Sequence, residues 1–180
     1  PDALMAQARS ELGAFTEEPL MTDVAALLRE SAAILAALAG QKNVTLTESI
    51  DEMPMIELAR GRLKQAVMGL LENAIDHNHP GGTVELRASM ENGQLQISIS
   101  DTGPGIASEH LPRIFEPFYR ANASRDTNGH MGLGLYLVKS HIEAMDGKCS
   151  VASDPGRGSR FSILLPALKT AEKPKAMLAT

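Results

Sequence analysis

Three glycine-rich segments are the parts of this sequence best suited to hold a ligand through the backbone. They are Asp-Thr-Gly-Pro-Gly-Ile at 101–106, Gly-Leu-Gly-Leu at 132–135 and Gly-Arg-Gly-Ser at 156–159. Glycine lets a backbone approach a ligand closely, and the second segment opens a helical pattern, where free N–H groups favour phosphate. Each segment alone is more typical of an ordinary turn than of a ligand site. A Walker A sequence and a Gly-x-Gly-x-x-Gly following a strand are both absent from the sequence.

Several polar residues near these segments could supply chemistry. Asn73 lies within a helical pattern although Asn is a mediocre helix former. Asp101 ends an apolar strand, so its carboxylate should be partly enclosed. The ordinary alternatives are a solvated helix Asn and an Asp-initiated turn. His77 and His79, with Asp76, could instead bind a transition-metal ion.

Composition limits the class of protein. The 180 residues suit one domain and at most part of a second element. With 17 Lys and Arg against 22 Asp and Glu, the net charge of −5 argues against nucleic-acid binding through the phosphate backbone. The one cysteine excludes an internal disulfide and is too few for a cysteine-based zinc site. The longest apolar run, 32–39, is far shorter than the ~20 residues that span a bilayer, and no signal peptide is visible. We therefore expect a cytoplasmic domain without direct membrane contact.

Apolar residues at spacings of three and four predict the helices. The first begins after Thr22 as N-cap and ends with Gly40 as C-cap. The second begins at about Arg60 and stops before the Pro-Gly-Gly at 80–82. A short helix is predicted around 109–114, and a third long helix from Gly132 to Met145.

Alternating apolar and polar residues predict the strands. Short extended pieces are expected at 44–46 and 55–58, a hairpin at 84–88 and 95–99 around Asn92-Gly93, and two strands at 148–153 and 159–165. Strands joined by hairpins argue against a Rossmann sheet, which needs a helical crossover after each strand. The pattern indicates an α+β two-layer sandwich.

Five motifs occur together in a characteristic order. Leu-Leu-Glu-Asn-Ala-Ile-Asp-His-Asn at 70–78 is followed by the first glycine segment, by Ile-Phe-Glu-Pro-Phe-Tyr-Arg at 114–120, by the second glycine segment and by Gly-Ser-Arg-Phe at 158–161. In this order they resemble the N box, the glycine boxes and the F box of the catalytic and ATP-binding domain of bacterial sensor histidine kinases, over about residues 20–166. The resemblance implies a Bergerat-type fold, in which a mixed, mostly antiparallel sheet carries helices on one face and a flexible lid covers ATP.

The resemblance also implies a role for each matched residue. Asn73 would bind Mg²⁺ through its carbonyl oxygen, a suitable hard ligand, and Asp101 would accept a hydrogen bond from the adenine amino group. Arg120 and Arg125, in the aperiodic lid segment, would face the β- or γ-phosphate; solvated surface arginines are the alternative. The other implied nucleotide-binding residues are His77, Gly103, Gly105, Ile106, Tyr119, Gly132, Leu133, Gly134, Leu135 and Ser159.

Two positions depart from the family's pattern. Gly69 stands where a second polar residue commonly assists the metal, and where the related gyrase, Hsp90 and MutL ATPases hold a water-activating Glu, so a dedicated ATP hydrolase is disfavoured. Asp76 stands where a Lys often meets phosphate, and it would repel phosphate or help to hold the metal. The departures keep open an alternative: a degenerate nucleotide-sensing or docking module without phosphotransfer.

The family's phosphoacceptor box, His-Glu-x-x-x-Pro, is absent from the sequence. We therefore expect a kinase domain that donates the γ-phosphoryl of ATP to a histidine on a dimerisation domain absent from this chain, with a response regulator downstream. Residues 1–19 are expected to form the end of a dimerisation helix and a linker, 20–166 the catalytic domain, and 167–180 a disordered tail. An inner-membrane anchor elsewhere in the parent protein is left open.

Overall fold

A computed structural model describes residues 17–121, 131–167 and 169–173 of the chain. Within these ranges, helices form one layer and a five-stranded sheet forms the other. The helices are α1 (Val24–Gln41), α2 (Arg60–Asp76) and α3 (Gly134–Glu143). The strands are β1 (Leu20–Thr22), β2 (Thr45–Ile50), β3 (Met55–Leu58), β4 (Thr83–Glu91), β5 (Gln94–Asp101), β6 (Lys148–Asp154), β7 (Gly158–Pro166) and β8 (Thr170–Ala171).

The five-stranded sheet has the strand order β2-β4-β5-β7-β6. β2 runs parallel to β4, whereas the other neighbouring pairs in this sheet are antiparallel. The β4–β5 turn has Asn92 at φ 51° and Gly93 at φ 74°, the left-handed conformations that an Asn-Gly hairpin requires. The predicted two-layer sandwich with a mixed, mostly antiparallel sheet is confirmed.

The core lies between the helices and one face of this sheet. β4 buries Val84 and Leu86, and β5 buries Ile97 and Ile99, while the residues between them are less buried. The helices cover this face with aliphatic side chains, as the low aromatic content of 3% requires. Burial of each of these Leu or Ile side chains stabilises the folded state by about 1.5–3 kcal/mol.

Helix α1 is long and apolar enough, by length and composition alone, to cross a membrane. However, 44% of the helix is buried inside the protein, and Val24, Leu28 and Leu35 belong to the core. The same apolar residues are therefore accounted for by packing against the rest of the domain.

Both ends of α1 differ from the prediction. Asp23, not Thr22, is the N-cap, because its carboxylate accepts the Ala26 N–H at 3.0 Å. The helix continues past Gly40, and Asn43 takes the left-handed conformation beyond its end, with φ 56°. Asn tolerates this conformation better than most residues, so the chain does not need glycine there.

The prediction of a short helix around 109–114 is wrong. The N–H groups of His110, Arg113 and Glu116 each bond a carbonyl three residues back, which makes consecutive turns, whereas an α-helix requires bonds four residues back. Helix α3 also begins at Gly134 and not at Gly132, because Gly132 has a positive φ of 72°.

Part of the tail predicted to be disordered is instead paired with the domain. β8 lies antiparallel to β3 in a three-stranded sheet with the order β1-β3-β8. The ammonium groups of Lys169 and Lys173 lie 2.8 Å from Glu57 and 3.0 Å from Asp23. Residues 169–173 therefore extend the domain. Residues 174–180, and residues 1–16 of the predicted dimerisation helix and linker, lie outside the described ranges.

The N-terminus of α2 is capped by a side chain from outside the helix. Its N-cap residue, Ala59, makes no side-chain cap. Glu17 instead accepts the N–H of Gly61 at 2.8 Å and that of Arg62 at 3.1 Å. A Cβ at Gly61 would lie 2.8 Å from this carboxylate, so the glycine leaves room for it. The negative charge also opposes the positive end of the helix dipole.

We expect Glu17→Ala to lower the free energy of unfolding by about 1–2 kcal/mol, because two N–H groups of α2 lose their acceptor. Glu18→Ala, at an exposed neighbouring position, is the matched control and should change it by less than about 0.5 kcal/mol. Urea unfolding followed by circular dichroism measures both. Equal stabilities of the two variants would show that the Glu17 cap contributes nothing.

Candidate functional site

The inner face of the five-stranded sheet ends in a row of polar side chains. β5, β7 and β6 lie side by side, and their inward residues form apolar rows in register. Two such rows are Ile97–Ile163–Cys149 and Ile99–Phe161–Val151. One step further, Ser159 pairs with Ser153, and its N–H donates to the Asp101 carboxylate at 3.3 Å. These three residues, Asp101, Ser159 and Ser153, are called the polar row below. They lie at the edge of the buried core and could bind the polar groups of a ligand.

Asp101 is held in place by two backbone donors. Its Oδ1 accepts the N–H of Gly103 at 2.8 Å and that of Ser159 at 3.3 Å. Burial raises the pKa of the Asp101 carboxyl above its ordinary value, and the two hydrogen bonds and nearby His77 oppose the rise without cancelling it. As the pH falls, Asp101 therefore takes up its proton earlier than an exposed Asp would.

The glycine segment 101–106 is held between the end of α2 and the turn that joins β6 to β7. On the α2 side, a Cβ at Gly103 would lie 2.8 Å from the His77 carbonyl oxygen. On the turn side, a Cβ at Gly105 would overlap the Asp154 carbonyl. The structure thus brings His77, Gly103 and Gly105 next to Asp101.

Ser153 connects the segments around the polar row. Its Oγ accepts the Ile106 N–H at 2.8 Å, donates to the Gly158 carbonyl at 2.8 Å and lies 3.0 Å from the Ser159 Oγ. The sequence motifs do not include Ser153. The signal that could have revealed it is its phase, because it follows the inward apolar residues of β6 at a spacing of two.

The end of α2 carries an amide and a paired carboxylate. Asn73 is partly exposed one turn before the helix ends. Asp76 lies 3.1 Å from the ammonium of Lys42, so a lysine from the end of α1 offsets the negative charge that would repel phosphate. Sequence patterns did not indicate Lys42, since the pairing joins residues 34 positions apart.

The donor set suits one kind of metal better than another. Mg²⁺ that arrives with a polyphosphate needs only one or two oxygens from the protein, and the Asn73 amide oxygen is such a ligand. Transition ions need several His, Cys or carboxylate ligands. Within the described ranges, no three such side chains are grouped so that they could hold a metal ion, which argues against the alternative site at 76–79.

Gly69 lies where α2 packs against α3. A Cβ at this position would lie 3.0 Å from Cγ2 of Val138 in α3. A larger side chain would press the two helices apart. Gly69 and Gly134 also line a cavity of about 620 Å³ between α2 and α3.

The residues that precede and follow segment 122–130 are joined by a backbone hydrogen bond. The Phe118 N–H donates to the Gly132 carbonyl at 2.9 Å, and the two residues have φ of 64° and 72°. A Cβ at Gly132 would lie 2.8 Å from the Tyr119 carbonyl oxygen, so only glycine fits. The Tyr119 hydroxyl lies 2.7 Å from Nδ1 of His110, and the Arg113 guanidinium lies 4.4 Å from the centre of the Tyr119 ring.

The start of α3 is open to a ligand. Its N-cap, Leu133, makes no side-chain cap, and the first N–H groups of a helix have no partner within the helix. A Cβ at Gly134 would meet nothing within 4 Å, whereas Leu135 packs against the core. Arg120 lies partly buried just before segment 122–130, and Arg125 lies outside the described ranges.

The predicted site residues therefore form two groups joined by α2. Around the polar row lie His77, Asp101, Gly103, Gly105, Ile106 and Ser159. At the start of α3 lie Tyr119, Gly132, Leu133, Gly134 and Leu135. Helix α2 carries Asn73, reaches the first group at His77 and contacts α3 at Gly69.

Comparison with known sequences gives one family and several relatives. The model of the histidine kinase-, DNA gyrase B- and HSP90-like ATPase family matches residues 59–169. The alginate biosynthesis sensor protein KinB of Pseudomonas aeruginosa is 39% identical over 116 residues, which are 64% of this chain and 19% of KinB. The sensor histidine kinase CusS of Escherichia coli K12 is 42% identical over 106 residues, 58% of this chain and 22% of CusS. The chain thus spans about a fifth of the length of these relatives.

Solved structures give the same fold. Full-length ShkA in complex with AMPPNP has a TM-score of 0.80 and 30% identity, over 93% of this chain and 35% of ShkA. The catalytic domain of the histidine kinase ThkA, in a nucleotide-free form, has a TM-score of 0.74 and 25% identity, over 83% of this chain and 96% of that domain.

The contact between β5 and β7 can be tested with a pair of glycine variants. A Cβ at Gly158 (φ 93°) would overlap the Asp101 carbonyl, whereas a Cβ at Gly156 (φ 78°) would meet nothing within 4 Å. Gly156→Ala should therefore cost about 1 kcal/mol of stability, from its positive φ alone. Gly158→Ala should cost about 1–3 kcal/mol more, because backbone must move. Similar urea midpoints for the two variants would contradict this close approach.

Proposed function

The chain belongs to the family of histidine kinase-, DNA gyrase B- and HSP90-like ATPases, and from this premise we propose that it is a Mg²⁺·ATP-binding kinase domain of a sensor histidine kinase. The observation that carries the proposal is the polar row, which ends an apolar sheet face beside the glycine segment 101–106. It offers a planar base a partly buried carboxylate held by two backbone donors, with the partly buried Ile106 as an apolar neighbour of Ser153.

The base would bind at the polar row. Asp101, held through Oδ1, would accept a hydrogen bond from the adenine amino group. Ile106 packs against the core, its N–H donates to the Ser153 Oγ, and its side chain would cover one face of the base. Gly103 and Gly105 would let the loop approach the base closely, and Ser159 would lie at its edge.

The phosphates would lie toward the start of α3. The first N–H groups of α3 have no partner within the helix, and with the positive end of the helix dipole they favour polyphosphate. Gly132, Leu133 and Gly134 would lie beside the phosphates there. Arg120 and Arg125 would offset the charge of the β- and γ-phosphates, with Leu135 anchoring the helix to the core. His77 would lie beside the triphosphate. The Phe118–Gly132 hydrogen bond, together with Tyr119, would hold the two ends of the lid segment close to each other.

Asn73 would hold Mg²⁺ through its amide oxygen. The ion, when bound, supplies charge neutralisation on the phosphate oxygens. The chain's own contribution would be position: α2 carries Asn73 between its contact with α3 at Gly69 and its C-cap, His77, beside Gly103. The Lys42–Asp76 pair keeps the end of α2 from presenting an uncompensated negative charge.

The proposed reaction is phosphoryl transfer to a histidine supplied by a dimerisation domain. The lone pair of an imidazole nitrogen attacks the γ-phosphorus, the bond from that phosphorus to the β–γ bridging oxygen breaks, and ADP leaves while the imidazole gives up a proton to solvent. Catalysis rests on positioning and on neutralising charge. A response regulator would then take the phosphoryl group from the histidine. The kinase domain would act in the cytoplasm, with or without a membrane anchor elsewhere in the parent protein.

A second candidate function is a nucleotide-sensing or docking module that transfers no phosphoryl group. Gly69 favours it, because the chain lacks at this position the second polar residue that commonly assists the metal, and the close approach of Val138 leaves little room for one. The two candidates differ in whether magnesium strengthens ATP binding and in whether phosphate is transferred.

We expect calorimetry to detect ATP binding that is stronger with Mg²⁺ than with a chelator. Asn73→Ala should weaken binding in magnesium by at least about tenfold and leave binding in the chelator nearly unchanged, because only the metal loses a ligand. Gln65→Ala, which removes an exposed amide from the same helix, is the matched control. Equal affinities with and without magnesium in the unaltered chain would favour the second candidate.

We expect transfer to a separately supplied dimerisation module of the parent protein that carries the phosphoacceptor histidine. With γ-labelled ATP, acid-labile label should appear on that module and not on this chain. A module with His→Gln at the acceptor position is the control. ATP binding without labelling of the intact module would contradict the kinase proposal, and stoichiometric labelling of this chain would contradict the absence of the acceptor from it.

A further inference from the structure

The Ser153 hydroxyl has no capacity left for a ligand. A serine hydroxyl has one proton to donate and two lone pairs that accept. The proton points to the Gly158 carbonyl, 2.8 Å away, and one lone pair accepts the Ile106 N–H, also at 2.8 Å. The remaining contact is with Oγ of Ser159 at 3.0 Å. Because the Ser153 proton is already used, Ser159 must be the donor of this bond.

The direction of these hydrogen bonds determines whether Ser159 can donate a hydrogen bond to a ligand or only accept one. The Ser159 hydroxyl donates its proton to the Ser153 Oγ, so only the lone pairs of the Ser159 Oγ remain for a ligand. Its N–H is also engaged, by the Asp101 carboxylate at 3.3 Å. Asp101 and Ser159 thus present neighbouring acceptors along the polar row.

We propose that Ser153 is a positioning residue of the base site, which keeps the Ser159 hydroxyl turned away from the ligand and so makes this edge of the site accept only hydrogen-bond donors. The inference rests on the proposed ATP-binding function. A base with an exocyclic amino group, as in adenine, supplies donors to this edge. A base with a carbonyl at the same position, as in hypoxanthine, places its lone pairs against these acceptors. It can pair with the edge only through the neighbouring ring N1–H, in a shifted position, and should therefore bind more weakly.

The other serine of the same strand does not share this arrangement. Ser150, three residues before Ser153, is exposed on the opposite face of the sheet, where its register partner is Ser162. The connection to Ile106 and Ser159 therefore depends on the inward phase of Ser153 at the last row of the sheet, and Ser150→Ala is a matched control.

The test is the ratio of the affinities for ATP and ITP, measured by calorimetry in magnesium. Ser153→Ala frees the Ser159 proton to donate to the ITP carbonyl, so the preference for ATP should fall about five- to tenfold, and ATP itself should bind about threefold more weakly. Ser150→Ala should leave both unchanged. Ser153→Thr, which keeps the hydroxyl, should restore the preference. The double variant Ser153→Ala/Ser159→Ala should bind ITP more weakly than Ser153→Ala, because the freed donor is gone.

A ratio within one variant does not depend on the fraction of protein that is folded. Should the alanine variant fail to fold, Ser153→Cys keeps the volume while its thiol is a weak donor and acceptor, and it should lower the preference in the same direction. An unchanged ATP-to-ITP ratio in these variants, with ATP still bound by the unaltered chain, would overturn the role of Ser153 and leave the proposed function standing. Failure of the unaltered chain to bind ATP would overturn both.

Discussion

The close approach of two backbone segments, at Gly158 and the carbonyl of Asp101, is the constraint on which the site depends. No Cβ fits between them, so β7 can start directly beside the end of β5 only with glycine at this position. This brings the Ser159 N–H to the Asp101 carboxylate and the Gly158 carbonyl to the Ser153 hydroxyl. The sheet therefore ends in three polar residues that are hydrogen-bonded to one another and to the backbone.

Helix α2 connects the polar row with the other group of site residues, at the start of α3. Its first turn is capped by Glu17, its middle contacts α3 at Gly69, and its last residues lie against Gly103. One rigid element thus contacts both the base end and the phosphate end of the proposed site. In a reaction that depends on positioning and charge neutralisation, such a shared element is the main contribution that a fold can make.

The sequence was a good guide wherever a function requires residues at short spacing. The Asn92-Gly93 hairpin, the alternation in β5 and β7 and the order of the glycine segments are local patterns, and the fold that they predicted is confirmed. Local patterns failed where a longer-range contact decided the outcome. Residues 109–114 form turns because their N–H groups bond three residues back, and residues 170–171 join a strand because β3 offers an open edge.

By itself, the sequence determined the family, the two-layer architecture and the candidate residues, because each follows from residue types within a motif or from apolar periodicity. Only the tertiary structure decided how those candidates are connected. Lys42 offsets Asp76, Glu17 caps α2, and Ser153 joins Ile106 to Ser159, each across 34 to 47 positions of the chain or between different strands. Such pairings have no signature in a single sequence, since a hydrogen bond or ion pair depends on distance in space, and folding alone brings these groups within reach of one another.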